Sequence, residues 1–365
     1  MPFDAHNYPD VQTALDRRRR YQVAAWLFAV SFMIWGMVVL GGATRLTGSG
    51  LSIMEWAPLS GALPPLNPHE WDRLFSLYKQ IPQYELLHPG MDVAGFKSIF
   101  WLEWSHRAWG RLIGIVFLLP LVWFALTGAI PRRLVPRLAG LFVLGGLQGA
   151  VGWFMVASGF FTDSTAVSPY RLVIHLCLAL SLFAAVFWTA LSQLQPVAVS
   201  VPGAGRLRTL TRAACLLVGL TIVAGGFTAG LHAGLTYNTF PLMDGRVVPA
   251  GYADLHPWLR NLTENVIAVQ FDHRLLATLA AIATLAAAAW GMWPPVRARL
   301  PEAARIALAS MAACVAVQYA LGVATLLSVV AIPLAVAHQA NSVLLLAAAL
   351  AATHSLRGAK GAAVS

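Results

Sequence analysis

Apolar stretches of about twenty residues recur along the whole chain and predict eight helical spans. They run roughly 22–42, 98–126, 138–158, 169–191, 213–231, 263–291, 305–326 and 331–354. Each is long enough to cross a hydrocarbon layer of about 30 Å. With no water there to satisfy the backbone, only helices or closed barrels can cross, and the pattern lacks the period of strands. The polar connectors alternate in charge. Arginines at 17–20, 132, 133, 137, 206, 208, 212, 297, 299, 305 and 357, with Lys360, fall on one side. The positive-inside rule makes that side cytoplasmic and places both termini there. The other side carries a long loop (43–97), a medium loop (232–262) and two short ones. The predicted fold class is an all-α polytopic membrane protein with eight transmembrane helices.

Composition agrees with this pattern: 58% of residues are hydrophobic and 11% charged, against about 25% charged in a soluble domain. The net charge of +10 sits in the connectors, so it reports topology and not a nucleic-acid surface. The three cysteines, Cys177, Cys215 and Cys314, lie in separate apolar spans without a CxxC pair, which argues against a disulfide or thiolate centre. Asp4, Asp10 and Asp16 argue against a transit peptide, and no cleavage pattern precedes the first span, which is expected to be retained.

An internal repeat organises the spans. Gly41-Gly42, Glu103-x-x-His106-Arg107, Gln148-x-x-x-Gly152 and His175 recur in order as Gly225-Gly226, Gln270-x-x-His273-Arg274, Gln318-x-x-x-Gly322 and His338. The offset drifts only from 184 to 163 residues. Each half contributes four spans in the same orientation, which predicts two repeat-related four-helix bundles. The expected divisions are an N-terminal segment (1–21), a first half (22–191), a linker (192–212), a second half (213–354) and a tail (355–365).

Four of ten histidines, His106, His175, His273 and His338, lie inside spans at repeat-related positions. Counting inward from the non-cytoplasmic side, each is six to ten residues deep, on the order of 10–15 Å at the helical rise. Two imidazoles at one depth, on two helices of one bundle, suit a planar cofactor gripped from both sides, and haem is the natural candidate. A zinc site usually asks for a third or fourth ligand, often carboxylate or thiolate, and only the first half supplies a carboxylate. The bland alternative is a set of intramembrane histidines bonded to neighbouring helices. Gly110, Ala179 and Ala277, each one turn after a histidine, are expected to leave flat space for a porphyrin. Close helix packing gives the same signal. Arg107 and Arg274 fit two roles equally: contacts to haem propionates, or ion pairs and snorkelling.

The halves differ at one position. Glu103 shares a helix face with His106, three residues on, whereas the counterpart is the neutral Gln270. An ionisable acid in one half only points to chemistry in the first half and to a permanent electron-transfer haem in the second. The competing reading is that Glu103 simply pairs with Arg107 four residues later.

The segments GGATRLTGSGLSIMEWAPLSGALPP (41–65), EWSHRAWGRLIG (103–114), TYNTFPLMDG (236–245) and FDHR (271–274) resemble the haem A synthase family, over nearly the whole length. The resemblance implies an oxidoreductase of the bacterial plasma membrane that oxidises the C8 methyl of haem O to the formyl group of haem A. It implies His106 with His175 at the substrate haem, His273 with His338 at a bound haem b, and a functional Glu103. It also implies proximity to a haem O synthase and to cytochrome oxidase assembly factors. Loop 43–97 has no cysteine, so this chain is similar to the branch lacking the outer-loop cysteine pair. The same loop, with Trp56, Trp71 and many prolines, reads either as a folded lid or as an interfacial belt. Two rivals stand beside the synthase reading: a di-haem cytochrome b that only relays electrons, and a transporter, which also uses repeats.

Overall fold

The computed structural model describes residues 9–58, 60–161 and 164–358, with side chains from residue 15 onward. The expected N-terminal segment and tail therefore lie partly outside the described residues, and Asp4 and Lys360 wholly so. Eight helices among the described residues are long and apolar enough to cross a membrane. They are α1 (Pro9–Leu46), α4 (Val93–Leu126), α5 (Val135–Val156), α6 (Pro169–Leu194), α7 (Gly205–Gly230), α8 (Val266–Met292), α10 (Glu302–Leu327) and α11 (Ile332–Ser355). The short helices α2 (Pro68–Tyr78), α3 (Pro82–Leu87) and α9 (Pro294–Arg297) lie between them.

Helix ends follow local chemistry. Asn67, Asp92 and Asn265 cap α2, α4 and α8 by accepting backbone N–H groups, and prolines open α2, α3 and α6. Three helices begin well before the apolar pattern predicts: α1, α4 and α7. Helix propensity does not stop where apolarity does, and arginine is a good helix former. Inside α4, Pro120 has no N–H for the carbonyl one turn back. That carbonyl, Val116 O, instead accepts the Trp26 indole of α1 at 2.8 Å, so the break becomes an interhelical tie.

Within residues 9–194, α1 and α5 each pack against both α4 and α6; within 205–355, α7 and α10 each pack against both α8 and α11. Between these groups α1 meets α11, α6 meets α7, and α6 meets α11. Glycines carry the crossings. A side chain at Gly42 would run into Gln339 at 2.5 Å, and one at Gly226 into Val173 at 3.0 Å. Gln339 donates to Val38 O, Trp35 to Ala340 O, and Arg45 to Ala229 O. At the opposite end His354, fully buried, is bonded to Ser192 and Arg357 and packs edge-on against Trp188 at 4.8 Å.

The long loop is folded. Trp71, Phe75 and Tyr78 of α2 pack on Phe96 and Phe100, so the first turns of α4 project past the bundle into an aromatic cap. Tyr78 donates to Gln83, its hydroxyl is bonded to His88 at 2.6 Å, and Gln83 donates to Gly48 O beyond the end of α1.

At the α6–α7 crossing a Cβ on Gly230 would lie 2.9 Å from the Pro169 backbone, which cannot rotate away. Gly230→Val is expected to destabilise the protein by about 1–3 kcal/mol. Thermal unfolding in detergent checks this, with Gly140→Val, which meets nothing within 4 Å, as the neutral control.

Candidate functional site

The four predicted histidines occupy α4, α6, α8 and α11, and all are partly buried. Each ring rests on a glycine of a neighbouring helix. The added Cβ would come to 3.1 Å of His106 from Gly41, 2.9 Å of His175 from Gly152, 3.0 Å of His273 from Gly225 and 2.9 Å of His338 from Gly322. These glycines are visible in the repeat, but apolar periodicity gives them no role. Gly110, expected to leave porphyrin space, lies instead against Met37, with 3.2 Å left for a Cβ. The room beside the rings comes from the opposing helix, because a histidine reaches away from its own backbone.

In the second half the rings of His273 and His338 stand 6.5 Å apart, centre to centre, and nearly perpendicular. A metal–imidazole bond of about 2 Å on each side, plus the offset of each nitrogen from its ring centre, spans that gap. His273 Nδ1 donates to the Thr221 carbonyl at 3.1 Å, which leaves Nε2 as the free nitrogen. The donor sets are pairs: no group of three or more His, Cys, Asp or Glu comes together among the described residues. Two imidazoles with flat, glycine-floored surroundings fit a haem. Gln148 and Gln318 repeat a further contact, their amides lying 3.2–3.4 Å from the His175 and His338 rings. Gln318 is held by Asn341 at 2.9 Å, whereas Gln148 Oε1 and His175 Nδ1 are buried without a partner.

Glu103 is 2% exposed and has four donors. Arg107 Nη2 and Nε reach Oε1 at 2.6 and 3.1 Å; Ser52 Oγ and Ile53 N reach Oε2 at 2.7 and 2.9 Å. The pairing with Arg107 left open by the sequence is present. A carboxylate accepts about four bonds, so both oxygens are satisfied. Arg107 also donates to Ile53 O and Glu55 O, and Arg111 to Ala57 O and Pro58 O. Two arginines one turn apart thus grip the irregular 53–58 segment through its carbonyls. Trp153 lies beneath the Arg107 guanidinium at 5.6 Å and stacks on Trp56 at 6.5 Å. Sequence reasoning gave Ser52 no role and left that of Arg111 open; neither has a partner within its own helix turn to betray it.

The second half repeats the clamp with reversed polarity. Arg274 donates to Tyr237 O and Thr239 O, and to Gln270 Oε1 at 3.2 Å. Gln270, also 2% exposed, donates to Ala233 O at 2.7 Å. The first loop offers donors to its buried side chain and needs an acceptor; the second offers a carbonyl and needs an amide N–H. The Glu103/Gln270 difference has this structural cause in addition to any chemical one. Arg107 divides its bonds equally between loop carbonyls and Glu103, whereas Arg274 spends most of its bonds on loop carbonyls and its Nε is buried and free of partners.

The sequence matches the family model COX15-CtaA, described as cytochrome oxidase assembly protein, over residues 24–350. It is 60% identical to a haem A synthase of Granulibacter bethesdensis over 343 residues, covering 94% of this chain and 89% of the relative. It is 51% identical to haem A synthase 2 of Acidiphilium cryptum over 344 residues (93% and 92%). It is 50% identical to the haem A synthase of Rhodospirillum centenum over 335 residues (92% and 88%).

Removing Arg107 strands a buried carboxylate and two loop carbonyls. Arg107→Leu is expected to cost about 3–5 kcal/mol. A double-mutant cycle with Glu103→Gln, read by thermal unfolding in detergent, should show strong coupling; simple additivity would contradict the clamp.

Proposed function

The chain belongs to the COX15-CtaA family of cytochrome oxidase assembly proteins, and from that premise we propose that it is a haem A synthase. In this reading it is an oxidoreductase that converts the C8 methyl of haem O to a formyl group within the membrane. The observation that carries the reading is the pair of glycine-floored histidine sets, one beside a buried acid and one beside an amide. We infer two repeat-related four-helix bundles, supported by the matching helix contacts and clamps. We place the histidines toward the outer side of a bacterial plasma membrane with both termini cytoplasmic, following the arginine connectors.

His106 and His175 hold the substrate haem by its iron, and His273 and His338 hold a resident haem b. The bound haems supply the redox chemistry. The chain's own part is to bind, orient and exclude water. The 52–58 segment and its aromatic cap cover the first site, and Glu103 with Arg107 and Arg111 fixes that cover. Glu103 therefore acts on the reaction through what it holds in place. Arg107 and Arg274 align the loops around each haem, and Arg274 Nε keeps a donor for an anionic group such as a propionate. The reading implies haem O delivered by its synthase and haem A passed toward cytochrome oxidase assembly. A relay cytochrome b needs no such difference between its halves.

The test is chromatography of haems from cells that make haem O but lack their own haem A synthase. With this chain haem A is expected to appear. His106→Ala should abolish it together with haem O binding. Glu103→Gln should abolish or stall it while the His106-dependent haem O spectrum persists. An expressed, red protein that yields only haem b and haem O, with a competent electron donor supplied, would contradict the synthase reading.

A further inference from the structure

The repeat allows one half to be read against the other, position by position. On α5, Gly145, Gln148, Gly149 and Gly152 share a helix face. By the Gln148–Gln318 alignment their counterparts on α10 are Val315, Gln318, Tyr319 and Gly322. Gly152 and Gly322 floor the histidines in both halves. The other two positions differ. Val315 is 3% exposed, in the core shared by the two halves, and Tyr319 is bonded to Thr278 of α8 at 3.2 Å and packs against Phe240 at 6.2 Å. Tyr319 thus bridges α10 to α8, while Val315 fills the core that α10 shares with both halves.

In the first half the seam is open. A Cβ at Gly145, Gly149 or Gly114 meets nothing within 4 Å. On the α8 side, Thr278, bonded to Tyr319, aligns with Arg111, whose guanidinium is drawn away to the loop, and Ala281 aligns with Gly114. In the most apolar stretch of α5 no residue is buried, and in α4 11% are; the counterparts α10 and α8 bury 22% and 28%. The open seam ends at His175 and Gln148, where His175 Nδ1 and Gln148 Oε1 are buried without partners.

We propose that the seam between α4 and α5 is the lateral portal and the seat of the isoprenoid tail of the substrate haem. This rests on the assignment of the first half to haem O. A tailed porphyrin held by His106 and His175 needs an apolar channel that is continuous with the ring site and open to lipid. A permanently bound, tail-less haem needs that channel filled, as it is by Tyr319 tied to Thr278. The missing side chains are thus the specificity determinant for a prenylated ring over an unprenylated one.

Purified full-length protein carrying its second-half haem tests this by absorbance titration with haem O and with tail-less haem b. The His106-dependent spectral change marks first-half binding. Filling the seam with Gly145→Val and Gly149→Tyr is expected to weaken haem O binding about tenfold or more, with less than about a twofold change for haem b. Equal loss for both ligands, or no loss for haem O, overturns the proposal. If the unchanged protein gives no His106-dependent signal with haem O, the functional reading itself falls, and the portal with it. Should the filled variant lose its second-half haem and hence its fold, Gly149→Cys alkylation decides, with the unchanged chain as background for Cys177, Cys215 and Cys314. Protection by haem O but not by haem b supports the portal. Protection by both or by neither overturns it, as does protection already complete in a dimer without ligand, which would assign the seam to a second copy.

Discussion

An imidazole ring inside a helix bundle needs room that only a missing side chain leaves. The structure meets this constraint four times, with Gly41, Gly152, Gly225 and Gly322 each lying against one histidine. A methyl group at any of them would press on a ring at 3.1 Å or less. Helix spacing, ring position and the separation of the second-half histidine pair all depend on these contacts. Interiors are close-packed, so such a gap is kept only by residues that cannot fill it.

The Gly-Gly pairs divide their labour. Gly41 and Gly225 face histidines of their own half, while Gly42 and Gly226 face helices of the other half. One hundred degrees of helix rotation separates the two duties. The same turn of helix therefore sets both the haem-binding geometry proposed for each half and the seam between halves. Coupling between the two sites has a short physical route through it: Gln339, against Gly42, directly follows His338, and Leu176, against Gly226, directly follows His175.

Charge within the apolar region is organised by the loops. A buried carboxylate is tolerable where every oxygen is satisfied, and Glu103 meets that condition with two donors from Arg107 and two from the Ser52–Ile53 segment. Gln270 meets the same demand with opposite polarity. The acid of the first half is thus a consequence of how its loop arrives as well as a mark of the reaction proposed there. Of the arginines, read from sequence as equally suited to propionates or to ion pairs, Arg107 is shared between the Glu103 carboxylate and loop carbonyls, and Arg274 is committed mostly to loop carbonyls.

The all-helical class, the eight spans, the repeat and the four histidines are legible in the residues alone. Lipid imposes a helix and a length on every crossing segment, and a repeat must keep its functional positions in order. Span ends were legible to within a few residues, except in α1, α4 and α7, where helix continues past the apolar pattern. Tertiary structure alone decided which group each polar side chain meets. Ser52, Ile53 and Glu55 lie some fifty residues from Glu103 and Arg107, a separation at which no periodicity operates. The same holds for the glycine floors, the folded cap on α4 and the open first-half seam. Each depends on the distance between helices, and a one-dimensional pattern of apolar positions does not contain that distance.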